Sequence, residues 1–470
     1  MTDRPNLPYE HVSLKEGLRR GRGHIVFLLG LGLAMGLIWL LDGIAPAEAS
    51  GAPGAAPTPE AAEAAAPLQI EDTRPDSIPA PRALTDAEMG YARTAWAYFE
   101  DQTDAQTGLV RSVSDYPSTT MWDTGSYLAA MISAERLGIL DRADFDARLA
   151  AVLASLEALP LVATGPDSTG RGLPNKAYHT ATLEMVDYRN APVARGIGWS
   201  ALDVARLAVP LHTLIWHYPE HTPAIRAVLD RWDLDTLTDR GLMWGGAVDS
   251  VGVRLLQEGR LGYEEYGASA LGLLGMDTAE AERVDDHLTW VTISGVEVAQ
   301  DSRTAATHGA HAHVVSEPYI LDGLEMGGSP VSREMAWRVY SAQEARHASG
   351  GPLTAVTEDQ LDGFPYFVYS SVVTDGEPWA VLSSTGKSVP EARILSTKAA
   401  FGWHALYRTD YTEKLVAAVA DLATPTGWLA GRYEASGEPN AVRACNTNAV
   451  VLEAMAYLAH GPLASPASGR

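Results

Sequence analysis

One cysteine, Cys445, occurs in 470 residues, so no disulfide can form within the chain and a small disulfide-stapled scaffold is excluded. A lone thiol suits a bacterial envelope protein. Positive charge is scarce as well: 35 Lys and Arg stand against 59 Asp and Glu, a net charge of −24. An acidic surface disfavours nucleic acid and anionic lipid headgroups as partners, and leaves neutral polymers such as glycans open. No GxSxG elbow, P-loop, HExxH or CxxC follows the N-terminal region, which removes support for esterase, nucleotide, zinc-protease and thioredoxin chemistry. The run GLGLAMG sits in an apolar stretch and has the wrong spacing for a dinucleotide loop. No cofactor is implied.

What is present is globular in composition, with 46% hydrophobic and 20% charged residues. Length alone suggests about three domains, but the first 83 residues are set apart. Residues 25–41, IVFLLGLGLAMGLIWLL, carry no charge and are about the minimum length that crosses a bilayer. Lys15, Arg19, Arg20 and Arg22 precede this run, and the next basic residue is Arg74. That asymmetry predicts a single-pass inner-membrane anchor with a cytoplasmic N-terminus and a periplasmic or extracellular main domain. A cleaved signal peptide ending at Ala47-Glu48-Ala49 is the alternative, and the length of the run favours the anchor. Gly32 and Gly36 form a GxxxG spacing, so a homodimer through the span is a further expectation. The division is a tail at 1–23, an anchor in the bilayer at 24–44, an Ala/Pro-rich linker at 45–83, an ectodomain at 84–463 and a C-terminal tail at 464–470.

The ectodomain reads as mainly helical. Helical patterns cover residues 87–99, 145–159, 201–216, 223–231, 333–348, 410–422 and 447–459. Asp86 is the expected cap of the first, and Pro210 should kink or split the third. Residues 289–298 alternate like a short strand pair, and 364–371 and 379–384 share that character. Four segments repeat one grammar of turn, loop, polar cluster and small-residue helix, with clusters at Asp123, at Ser200 and Asp203, at Glu264 and Glu265, and at Asn446 and Asn448. Gly125, Gly267, Ala268 and Ala449 allow close helix approach in these repeats. Hairpins that bury one another's faces in this way form a solenoid or a closed array. The expectation is an alpha/alpha toroid of helical hairpins with small β insertions, whose inner helices start at a shared cavity.

The motifs WDTGSYL (122–128), LPNKAYHT (173–180), GIGWSALDVARL (196–207), SEPYILDGLEMG (316–327), STKAAFGW (396–403) and NTNAVVLEAMAYL (446–458) resemble, in order, the bacterial family known as domain of unknown function 3131. That family is similar to the glucoamylase-like alpha/alpha toroids, which include enzymes acting on β-glucans. The resemblance implies this fold and carries no settled activity.

Glycoside cleavage needs an acid at the leaving oxygen and a carboxylate that activates water or attacks carbon. Asp123, Asp203, Glu264 and Glu265 are the catalytic candidates, because each lies in a repeat cluster at or near a helix start. Trp122, Trp199, Tyr263 and Tyr266 flank them and are candidates to stack on sugar rings, with Glu317 a further contact. Structural alternatives stand beside these: an N-cap role for Asp123, an ion pair with Arg206 for Asp203, and a turn or extended segment at Glu317 before Pro318. Glu264 and Glu265 are adjacent and point differently, so at most one should reach the cavity. His308, His311 and His313 have metal-like spacing but lack an evident fourth ligand, so no metal is expected. The function expected is a membrane-anchored glycoside hydrolase or transglycosylase acting on a β-glucan-like polymer or oligosaccharide. The alternative is a non-catalytic glycan-binding or envelope-assembly protein.

Overall fold

The computed structural model describes residues 79–165 and 170–464. The anchor, most of the linker and the last six residues of the tail lie outside the described residues, and so do the expected dimer contacts of the span. Among the described residues no helix is long and apolar enough to cross a membrane.

Side-chain caps start most of the helices. α1 (Asp86–Gln102) opens on Thr85, whose hydroxyl accepts from the Glu88 amide while the Glu88 carboxylate accepts from the Thr85 amide. This reciprocal box satisfies two orphan amides at once, so the cap is Thr85 and not Asp86. Then follow α2 (Met121–Arg136), α3 (Arg142–Ala158), α4 (Ala201–His217), α5 (Thr222–Arg231) and α6 (Tyr263–Gly272). α7 (Glu317–Leu321) runs on as a π-helical turn over Asp322–Met326. The last four are α8 (Pro330–Ala348), α9 (Thr397–Tyr407), α10 (Asp410–Val419) and α11 (Cys445–His460).

Outer and inner elements alternate along the chain. α1, α3, α5, α8 and α10 leave much of their surface to water, as amphipathic helices do. α2, α4, α6, α7, α9 and α11 are buried nearly all round. The inner six pack neighbour to neighbour in chain order, and α11 returns to α2. The ring is closed. Between α6 and α7, where the alternation calls for an outer helix, stands the antiparallel hairpin Leu288–Ile293 and Val296–Asp301, packed on α8. Its two-residue loop, Ser294-Gly295, has both φ angles positive, which matches the twist of the paired strands.

Small residues set the spacing of the ring. A Cβ added at Gly125 would lie 2.9 Å from the Arg206 backbone, so α2 and α4 meet through glycine. Pro210 neither splits α4 nor ends it. Its missing N–H leaves the Arg206 carbonyl without a helical donor, and Gly125 packs against that carbonyl. Glu317 is likewise helical, because Pro318 falls in the first turn of α7, where no N–H is needed.

Candidate active site

Alternation of outer and inner elements makes all inner helices start at one end of the ring, and each brings a polar side chain there. Asp123, Asp203 and Glu265 occupy the third positions of α2, α4 and α6. Glu317 is the first residue of α7, and Lys398 and Asn446 are the second residues of α9 and α11. Several of these groups bond across the ring. Lys398 Nζ pairs with Glu317 Oε2, Asn446 Nδ2 donates to Glu317 Oε1 at 2.6 Å, and Ser126 Oγ donates to Asn446 Oδ1 at 3.1 Å.

Deeper on the axis the ring is plugged. Fully buried Arg206 binds Glu325, and its other terminal nitrogen lies 2.7 Å from Glu453. The Tyr266 hydroxyl donates to Glu325 at 2.9 Å. Trp122 caps this plug, with the Arg206 guanidinium carbon 5.9 Å from its ring centre.

Asp123 and Asp203 stand behind caps made by other residues. Thr120 caps α2 and Ser200 caps α4, each accepting from the amide of the aspartate three residues on. Asp123 is therefore not the cap, and its carboxylate accepts from the Ser112 and Thr120 hydroxyls. Burial pushes its pKa up against those hydrogen bonds. Asp203 does not pair with Arg206, because Arg206 is already committed to two glutamates. Half-buried Asp203 is pushed up to about 7, first by burial and then by the charge of Glu258, with Lys176 pulling it down. Glu258 accepts from Ser200 Oγ at 2.9 Å and from the Leu202 amide at 3.2 Å.

The remaining predicted residues divide. Glu264 is buried in a bond to the Arg303 guanidinium and accepts from Gln257 at 2.8 Å. Glu265 turns back onto its own helix, accepting from the Gly262 amide at 2.5 Å, and burial pushes it up to about 8. Glu317 is 2% exposed and closed over by Lys398 and Asn446, which leaves it a poor direct contact for a sugar. Trp122 and Tyr263 are half-buried, edge to face with ring centres 5.6 Å apart. Two expected platforms are corrected. Trp199 is fully buried beneath Gly246, with its indole N–H donated to the Trp244 carbonyl, and Tyr266 belongs to the axial plug. Neither ring has a free face for a sugar.

Sequence reasoning missed Glu258, Lys176, Tyr188 and Tyr369. The Tyr369 phenol is pushed up to about 12 by burial and by the charges of Glu358 and Asp203. Tyr188 is 66% exposed overall, yet burial around its phenol, together with Asp203 and Glu258, pushes its pKa up. The glycine pair Gly245-Gly246 was the available signal for Glu258, since a Cβ on Gly245 would strike its carboxylate.

His311 and His313 lie with ring centres 5.4 Å apart, each engaged by a neighbour of its own. His311 pairs with Asp375 at 2.7 Å, His313 contacts the Thr374 hydroxyl and stacks on Tyr369, and His308 contacts Thr307. Asp146, Glu220 and His221 do lie together at the surface, and Arg142 bonds to both carboxylates there.

Residues 90–461 match the model of the family described as "Protein of unknown function (DUF3131)". The chain belongs to this family. No protein with a curated description matches it. Solved structures share the family member's fold. One is a candidate glucoamylase from Bacteroides caccae ATCC 43185, with a TM-score of 0.58, 10% identity, 80% of this chain covered and 94% of that one. A second is an endo-β-1,2-glucanase from Chitinophaga pinensis in complex with sophorotriose and glucose, with a TM-score of 0.57, 10% identity, and 81% and 94% covered. A third is the endo-β-1,2-glucanase of Talaromyces funiculosus in complex with sophorose, with a TM-score of 0.53, 9% identity, and 80% and 84% covered. At such identities the likeness is one of fold.

Proposed function

We propose that this family member is an envelope glycoside hydrolase or transglycosylase that cleaves a β-glucan in the hollow where its inner helices begin, held at the inner membrane by residues 24–44. The observation that carries this reading is Asp203, a half-buried carboxyl beside Glu258 at the start of an inner helix. Its pKa of about 7 keeps roughly half of it protonated at neutral pH, as a proton donor to a leaving oxygen requires. Glu258 accepts from Ser200 Oγ and the Leu202 amide, and its charge helps to hold the proton on Asp203. Asp123 takes the second carboxylate role, and Trp122 and Tyr263 line the sugar site. Glu264 and Glu265 hold the start of α6, where Arg303 and the Gly262 amide engage them. The β-1,2-glucanases of like fold support a glucan as the substrate class.

The test is the protein from residue 84 onward, incubated with linear β-1,2-, β-1,3- and β-1,4-glucans with product detection. Release of oligosaccharide from one polymer, abolished by Asp203→Asn with the fold retained, is the expected result. Full turnover in that variant removes the assignment. A second reading, glycan binding without cleavage, is favoured by the engagement of Glu264, Glu265 and Glu317 in caps and ion pairs. It would show as binding of a glucan with no product.

A further inference from the structure

Beside the hollow lies a small antiparallel sheet of Glu358–Gln360, Phe367–Ser370 and Val381–Ser383. One face of it packs on a core of its own, built from Leu361, Val368, Val381, Val389, Ala392 and Ile394 and separate from the main one. Side chains alternate across a strand, so Tyr369 and Phe367 share the opposite face with their cross-strand partners Glu358 and Gln360. Tyr369, paired with Glu358, is the end of that face nearest the inner-helix starts, where Thr357 Oγ1 accepts from the Glu317 amide at 3.2 Å and Asp359 accepts from Ser396 Oγ at 3.2 Å, and Phe367 meets it edge to face at 5.2 Å between ring centres. The strand then passes into a loop that presents Phe364, 79% exposed, and Tyr366, 64% exposed, with ring centres 6.2 Å apart.

Two large aromatic rings in water on one short loop need a reason, since monomeric proteins rarely leave such groups together. Slack is not the reason. The Asp362 amide donates to Asn440 Oδ1 at 3.0 Å, and the Asp362 carboxylate accepts from the Tyr433 hydroxyl at 2.6 Å and the Ala441 amide at 2.8 Å. Backbone bonds from Leu361 to Tyr366 and from Tyr366 to Gly363 close the loop on itself. The rings are thus held out by an anchored backbone, at little ordering cost to a ligand that stacks on them.

We propose that Phe364 and Tyr366, on the loop that leads into the strand of Phe367 and Tyr369, bind sugar units of a glucan chain that extends out of the hollow, so that the protein prefers polymer to short oligosaccharide. This rests on the glucan reading above and names where the chain leaves the site. A neutral, polyhydroxylated chain fits a row of aromatic faces on a strongly acidic protein, which repels an anionic polymer.

The test uses the Asp203→Asn protein, so that nothing is consumed, and measures dissociation constants by calorimetry for linear β-1,2-glucan and for sophorotriose. The polymer is expected to bind at least about tenfold more tightly per chain. Replacing both rings (Phe364→Ala with Tyr366→Ala) should remove about tenfold of polymer affinity, leave sophorotriose within about twofold, and leave the melting temperature unchanged. Equal loss for both ligands, or no loss for the polymer, overturns the strip while the glucan reading stands. No binding of either ligand to the parent protein overturns both.

Discussion

Replacing Arg206 with methionine would test the axial plug that forms the floor of the site. In the native protein Arg206 is fully buried between Glu325 and Glu453. Burial pushes the Glu325 carboxyl well up and Glu453 beside it pushes it further, while the Arg206 charge pulls both glutamates down. The cluster holds one cation against two carboxyl groups that burial drives toward the neutral form. Arg206→Met leaves the Glu453 carboxylate in the core without a counter-charge. Removing one partner of a buried pair typically costs about 3–5 kcal/mol. Glu453 can escape the full penalty by taking up a proton, which sets the sign of the pH dependence. Its folded pKa is already raised and rises further in the variant, while the unfolded value stays near 4.5. The unfolded chain therefore releases this proton first, and stability is lost as pH rises above the unfolded value, by up to about 1.4 kcal/mol per pH unit. The deficit of Arg206→Met against the native protein should grow from pH 5 to pH 7. Urea unfolding at the two pH values measures it, and adding Glu453→Gln should recover part of the loss. A deficit below about 1 kcal/mol at pH 7, or one that does not change with pH, would refute this account of the plug.

Three further outcomes follow from the same structure. Asp203 is protonated below about pH 7, so the rate on glucan should fall as pH rises through that value, and Asp203→Asn should lower kcat at least a hundredfold across the range; a pH–rate profile checks both. Lys398→Met leaves buried Glu317 with Asn446 alone, for an expected loss of about 3–5 kcal/mol in urea unfolding. Gly125→Ala puts a methyl group against the Arg206 backbone and should cost about 1–3 kcal/mol, read as a lower melting temperature with little change in KM.

Periodicity found the outer helices well, because one buried stripe against a polar face leaves a clear signal in α1, α3 and α8. It failed on α9, where Thr397–Tyr407 is buried at nine positions and offers no polar face to define a period. It failed on α7 because a proline after Glu317 argues for extended chain, unless a helix happens to begin there. The repeat grammar led to Asp123 and Asp203, since each lies in a polar cluster near the start of a small-residue helix. Glu258 was hidden for the opposite reason: it follows a strand and reaches the start of α4 across 58 residues, a link no local pattern records. Trp199 and Tyr266 show the limit of reading aromatics by adjacency. Helical spacing places a ring near a carboxylate but does not say which of them turns toward water.

The filled axis has a consequence for traffic. With Arg206, Glu325 and Glu453 sealing the centre below Trp122, the ring is a cup rather than a tunnel. No polymer can be threaded through it from one face to the other. Whatever enters must leave past the same rim, so a long chain lies across the opening or dips one end into it, and is lifted off again.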